Sequence, residues 1–198
     1  MAVRDFDGSI MVGRARAVVS LCTVLFVTGL APGGAGQATA DIATPSRAEP
    51  SAGEEAHLPA DELVVRKGER KLYLLREGQV LRSYDIALGQ QPEGHKQREG
   101  DSRTPEGSYR IDWRKSDSEF FLALHISYPN DRDVRNARRR GLDPGGQIMI
   151  HGLPNEPRYP RRQYLWSDWT DGCIAVSNAA MIDLWVSVPD DTPITILP

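Results

Sequence analysis

The sequence predicts a mainly β domain with one helix towards its C-terminal end and a long loop that wraps a site. Three observations carry this. Short runs rich in Val, Leu, Ile and Tyr, broken by Gly-containing turns, recur from residue 62 onward. Helical spacing of apolar residues is clear only over 178–188, where Met181, Leu184, Trp185 and Val188 fall at i, i+3, i+4 and i+7. Residues 153–168 form a long connection with three prolines. Its Tyr159, Tyr164, Leu165 and Trp166 make it a loop that wraps a site, not a disordered linker.

The elements follow in order. Residues 62–67 (ELVVRK), 71–76 (KLYLLR) and 79–88 are three strands with tight connections, hence an antiparallel meander. Residues 89–103 are polar and rich in glycine and glutamine, a loop. Thr104-Pro105-Glu106-Gly107 turns into a strand over 108–113, and 120–128 is another. Residues 130–140 carry five arginines and read as a solvated loop or a short basic helix. Residues 147–150 are a buried strand that delivers His151, and 173–176 a second strand following Gly172. Ser177 or Asn178 caps the helix, Pro189 stops it, and 192–197 is a last β-branched strand.

Residues 1–40 are set apart from this domain. Arg14 and Arg16 precede an apolar run over 17–30, and Ala38-Thr39-Ala40 has the small-x-small form of a cleavage site. The order is that of a signal peptide. An uncleaved membrane anchor is the alternative, although the run is shorter than the roughly 20 apolar residues of a spanning helix. Residues 41–61, rich in Ala, Pro, Ser and Glu, read as a flexible linker, and 62–198 as the folded domain. Export to a bacterial periplasm is therefore expected. Cleavage removes three arginines and two aspartates, which takes the net charge from −3 to −4 and argues against nucleic acid as a partner. It also removes Cys22, leaving Cys173 alone in a compartment where cysteines usually pair.

A lone exported cysteine is either a buried inert residue or a thiol kept for chemistry. Cys173 follows Gly172, and His151 precedes Gly152, 22 residues earlier. Each sits at the end of a β-like run, so the two can form a nucleophile and its base. Spacing alone leaves that pairing and the inert reading equally open. No third side chain is assignable to orient His151; a backbone carbonyl is sufficient. His125 falls inside a strand, and His57 and His95 in polar segments. No H-E-x-x-H or paired C-x-x-C is present, so neither a metal nor another cofactor is expected.

Taken together, His151-Gly152, Thr170-x-Gly172-Cys173-Ile174 and Asn178, with Ala87-Leu88-Gly89 and Gly100-Asp101-x-x-Thr104-Pro105-Glu106-Gly107-x-Tyr109 upstream, resemble the L,D-transpeptidase catalytic domain (YkuD-like). The resemblance extends over residues 62–198. It implies a β-sandwich with a helix and a lid-like loop, in an enzyme acting on peptidoglycan stem peptides in cell-wall crosslinking or remodelling. It implies Cys173 as the nucleophile, His151 as its base, and Gly172, with Thr170 and Asp171 beside it, as the oxyanion and positioning region. Gly152 and Asn178 are expected near the substrate.

The family's usual core is Ser/Thr-His-Gly-Cys-x-Arg; here Asp171 stands in place of that histidine and Ala175 in place of the arginine. This looks like a divergent subgroup. Eight arginines against three carboxylates over 132–162 supply a compensating charge of +5. Arg158, Arg161 or Arg162 is the expected replacement for the missing guanidinium, and a solvated face is the competing explanation. A hydrolytic amidase or L,D-carboxypeptidase of the same fold, and a catalytically silent wall-binding module, stay open beside the transpeptidase. Stem peptides, with a wall-attached lipoprotein as a further candidate partner, and a monomeric state complete the expectation.

Overall fold

The structure, a computed structural model, describes residues 58–198. The expected signal peptide and all but the last residues of the linker lie outside them. Ordered packing already begins at Ala60, which is buried and donates its N–H to the Ser187 carbonyl.

Eight strands form one sheet: β1 (Glu62–Arg66), β2 (Lys71–Arg76), β3 (Gln79–Asp85), β4 (Gly107–Ser118), β5 (Phe121–Ile126), β6 (Met149–His151), β7 (Ile174–Ala175) and β8 (Pro193–Leu197). Their spatial order is β3-β2-β1-β8-β4-β5-β6-β7. The predicted meander is present: β1 pairs antiparallel with β2, and β2 with β3. The C-terminal strand β8 inserts at the centre, parallel to β1 and antiparallel to β4. The chain after β3 then crosses to β7, where Ala87 and Ala175 exchange hydrogen bonds of 2.9 and 2.8 Å. The sandwich is thus one continuous sheet whose two ends meet.

Alternation explains what fills it. Leu63 and Val65, Leu72 and Leu74, Leu124 and Ile126, and Ile194 and Ile196 are all essentially buried and share one core with Ile150 and Ile174. Met181 and Leu184 of helix α3 (Asn178–Ser187) close that core, and α3 packs on β5. Ser177 caps α3 by accepting from the Ala180 N–H, as its sequence predicts.

Two details differ from the expectation and one open choice is resolved. Strand β4 runs to Ser118 instead of 113, with register shifts after Ile111 and Lys115 that tolerate its polar second half. The open choice over 130–140 resolves as helix α1 (Asp131–Arg138), because Asn130 and Asp133 form a reciprocal capping box. A one-turn helix α2 (Gln163–Trp166) lies within the long loop.

Candidate active site

The site is built where β6 ends and β7 begins. These strands are parallel neighbours, with Ile150 opposite Ile174 and His151 opposite Ala175. Cys173 is the residue just before β7, so imidazole and thiol are carried on adjacent strands. Cys173 is a free, partly buried thiol whose Sγ lies 3.6 Å from the Gln147 carbonyl oxygen.

The turn before the cysteine is fixed by Thr170. Its buried hydroxyl donates to the Cys173 carbonyl at 2.8 Å and accepts from the Gly172 N–H at 3.1 Å. Gly172 has φ of 129°, and a Cβ there would lie 2.6 Å from the Arg103 carbonyl oxygen. Both facts require glycine. Asp171 is exposed and accepts from the Gln90 amide at 3.3 Å.

His151 is 4% exposed, and its Nδ1 is 2.7 Å from the Gly152 carbonyl oxygen. A carbonyl only accepts, so Nδ1 carries the proton and Nε2 keeps its lone pair. The ring is packed by Phe120, 4.7 Å between centroids, and by the edge contact of Trp169 at 5.7 Å. Gly152 is held as tightly: a Cβ there would come within 2.8 Å of Asn178 Oδ1 and 2.9 Å of Phe121. Asn178 Oδ1 accepts from the Leu153 N–H at 2.8 Å. Asn178 therefore pins the turn that carries the imidazole.

Burial pushes the His151 pKa down to about 4, against the opposing bond to Gly152. Burial also pushes the Cys173 thiol above its ordinary value. Asp171 adds to that rise, while the Met149 backbone and the Lys96 ammonium oppose it. At neutral pH the resting pair is therefore neutral thiol and neutral imidazole. His151 is in the form that accepts a proton.

A groove of about 780 Å³ is lined by Phe120 and Trp169, the two rings that pack on the imidazole, and by Arg158, Tyr159 and Tyr164, while His151 and Cys173 themselves do not line it. Of the three arginines expected at the substrate, Arg158 lines it. Arg162 borders a separate hollow beside Trp166, and Arg161 is exposed outside the groove. Ala175, which stands in place of the family's arginine, is fully buried and bridges to Ala87. Among the described residues, no group of three or more His, Cys, Asp or Glu could hold a metal ion. Nothing in the sequence marks Phe120 or the Trp169 contact with the imidazole.

A thiol behind a glycine turn, beside a strand ending in His-Gly, defines the L,D-transpeptidase type of catalytic domain. Residues 60–196 match the model of the YkuD family, the L,D-transpeptidase catalytic domain, and the chain belongs to this family. It is 37% identical over 93 residues to YafK of Escherichia coli K12, a provisionally named L,D-transpeptidase; the match covers 46% of this chain and 33% of YafK. The fold is similar to Bd1075 of Bdellovibrio bacteriovorus, with a TM-score of 0.51 and 26% identity over 71% of this chain and 48% of that one. It is also similar to the helical cell shape determining protein Pgp2 of Campylobacter jejuni, with a TM-score of 0.51 and 24% identity over 68% and 46% of the two chains. This chain thus spans a third of YafK and about half of each of those structures.

Proposed function

We propose that this protein is an exported cysteine L,D-transpeptidase that acts on peptidoglycan stem peptides through a Cys173 thioester. The observation that supports the reading is that Cys173 precedes β7, the strand next to the one ending in His151, whose Nδ1 is engaged by the Gly152 carbonyl so that Nε2 is left bare. In the first half-reaction the thiol sulfur attacks the amide carbonyl that follows the L-centre of the stem, and His151 Nε2 takes the thiol proton. The Gly172 N–H is bound to Thr170, so the donor left by this turn for the oxyanion is the Cys173 N–H. The C–N bond breaks, and the leaving D-alanine amine takes the proton from His151. An acceptor amine then attacks the thioester and gives a proton to His151, the C–S bond breaks, and His151 passes that proton to the departing Cys173 thiolate.

Residues 1–40 direct export to the periplasm in this reading, and Arg158 meets a stem-peptide carboxylate. The test is incubation with purified muropeptides, followed by mass spectrometry. Crosslinked product is expected with the native chain and none with Cys173→Ala or His151→Ala. Full turnover by either variant sinks the reading.

Hydrolysis of the same acyl-enzyme is the second reading. It is favoured by Ala175, whose burial in the Ala87 bridge leaves no guanidinium there to hold an acceptor carboxylate. Cleaved rather than joined products in the presence of an amine acceptor select it. Absence of any Cys173 acylation selects a silent wall-binding module.

A further inference from the structure

The groove lined by Phe120 and Trp169 contains neither reacting residue, so it suits a part of the ligand away from the scissile bond. Its rings step outward from the imidazole. Trp169 lies 5.7 Å from the His151 ring, Tyr164 5.2 Å from Trp169, and Tyr159 6.2 Å from Tyr164, centroid to centroid. Next to it, a second hollow of about 370 Å³ is lined by Pro160, Arg162 and Trp166. Gln163 and Ser167 line both, so the two hollows form one path over helix α2.

This path differs from the rest of the surface. Trp166 is 80% exposed and Tyr159 58%, more than any other large apolar side chain among the described residues. The Gln163 amide and the Arg162 guanidinium have no hydrogen-bond or salt-bridge partner among the described residues. Exposed rings beside unused polar ends mark a binding surface.

Three observations select the ligand. None of the groove's lining residues belongs to a strand, so no sheet edge is there to pair with a peptide backbone. Flat rings interspersed with an amide and a hydroxyl match a pyranose, which offers an apolar C–H face to an aromatic ring and hydroxyl and acetamido groups at its rim. The path is also continuous with the rings that pack on the imidazole. A stem bound at the thiol is joined at its other end to an amino sugar, and three residues span about 10 Å at full extension. That distance falls among these rings. Arg158 and Arg162, one in each hollow, suit the carboxylates of the stems that such a strand carries.

We propose that the path over α2, from Tyr159 to Trp166, is a glycan subsite that stacks the sugar rings of the peptidoglycan strand bearing the donor stem. This rests on the reading of the stem peptide as substrate. Tyr159 and Trp166 are then specificity residues that touch the sugar and no reacting atom.

The test uses the full chain carrying Cys173→Ala, which binds without turning over. A stem-free tetrasaccharide of alternating N-acetylglucosamine and N-acetylmuramic acid is titrated in, and the tryptophan indole N–H resonances are followed. Those of Trp166 and Trp169 should shift and saturate, while those of Trp113 and Trp185, which line neither hollow, should stay. Trp166→Ala or Tyr159→Ala, followed at Trp169, should each weaken binding by about twofold to tenfold, the range for one aromatic stack. Both side chains are mostly in solvent, so the fold survives their loss. In the native chain kcat/KM should be higher for a disaccharide-tetrapeptide than for the free tetrapeptide, and Trp166→Ala should narrow that ratio.

No shift at Trp166 with the glycan overturns the proposal. So does a Trp166 shift with the free tetrapeptide alone, or binding to anionic lipid vesicles with none to the glycan. The titration needs no acyl transfer. A native chain that leaves muropeptides unchanged would therefore refute the enzymatic reading, while the glycan subsite stands or falls on the titration.

Discussion

His151 and Gly172 show how single residues set the chemistry. Burial lowers the His151 pKa to about 4. In the unfolded chain an ordinary histidine titrates near 6.5. The unfolded state therefore binds the extra proton between those values. The native state's advantage is fully present above pH 6.5 and is lost as pH falls towards 4, by on the order of 3 kcal/mol. The melting temperature of the native chain should fall as pH drops through that window, and His151→Gln should lose that part of the pH dependence. The acid limb of kcat/KM should lie well below pH 6.5, and it will report the thiol–imidazole pair jointly. Gly172→Ala meets both a positive φ and the Arg103 carbonyl. The turn must shift, which displaces the Cys173 N–H, so acylation should fall by about 100-fold or more, as when an oxyanion donor is lost, with the Cys173 thiol still present. The Cys173 and His151 positions were legible in the sequence because glycine neighbours and strand ends mark them. Phe120 was not, since a ring contact made across the fold leaves no local pattern.

The segment after His151 acts as one element although little of it is regular. The Tyr164 hydroxyl accepts the Arg158 N–H at 3.0 Å, and the Tyr164 carbonyl accepts the Trp169 indole N–H at 2.9 Å. Asp168 closes the segment by pairing with Arg70 and accepting the Leu88 N–H at 2.9 Å. These bonds hold Trp169 against the imidazole. Tyr164→Phe removes one bond and should cost about 1 kcal/mol, with a higher KM and a melting temperature lower by about 3–5 °C. Asp168→Ala strips a charge-assisted pair and leaves the Leu88 N–H unpaired, so a loss of about 2–4 kcal/mol is expected in denaturant unfolding. Arg158→Ala should raise KM for an anionic stem peptide more than Arg161→Ala does, because Arg158 alone of the two lines the groove. Most elements were legible from period-2 and helical spacing. Helix α2 was not, since four residues between Pro160 and Ser167 are too short for periodicity to register. The α1 assignment hinged on whether Asn130 caps or turns, which residue type alone leaves undecided.

Across the whole molecule the decisive feature is non-local. Strand β8, last in the chain, lies between β1 and β4 and joins the β1–β3 meander to the half that bears Cys173 and His151. Ala87 and Ala175 close the sheet from the other side. Strand identities were legible in the sequence, but this order was not, because alternation marks a strand's buried face without naming its neighbour. The consequence is mechanical unity. Ile196 is 1% exposed and remote in sequence from the thiol, yet it packs in the same core as Ile150 and Ile174. Ile196→Ala leaves a cavity where a branched side chain stood and should cost about 2–5 kcal/mol. If β8 makes the halves one cooperative unit, the loss appears as a single shifted transition. Far-UV circular dichroism and the exposure of Cys173 to a thiol reagent should then change together along a urea gradient. Exposure of Cys173 at lower urea than the loss of strand signal would instead show that the β5–β7 half opens independently.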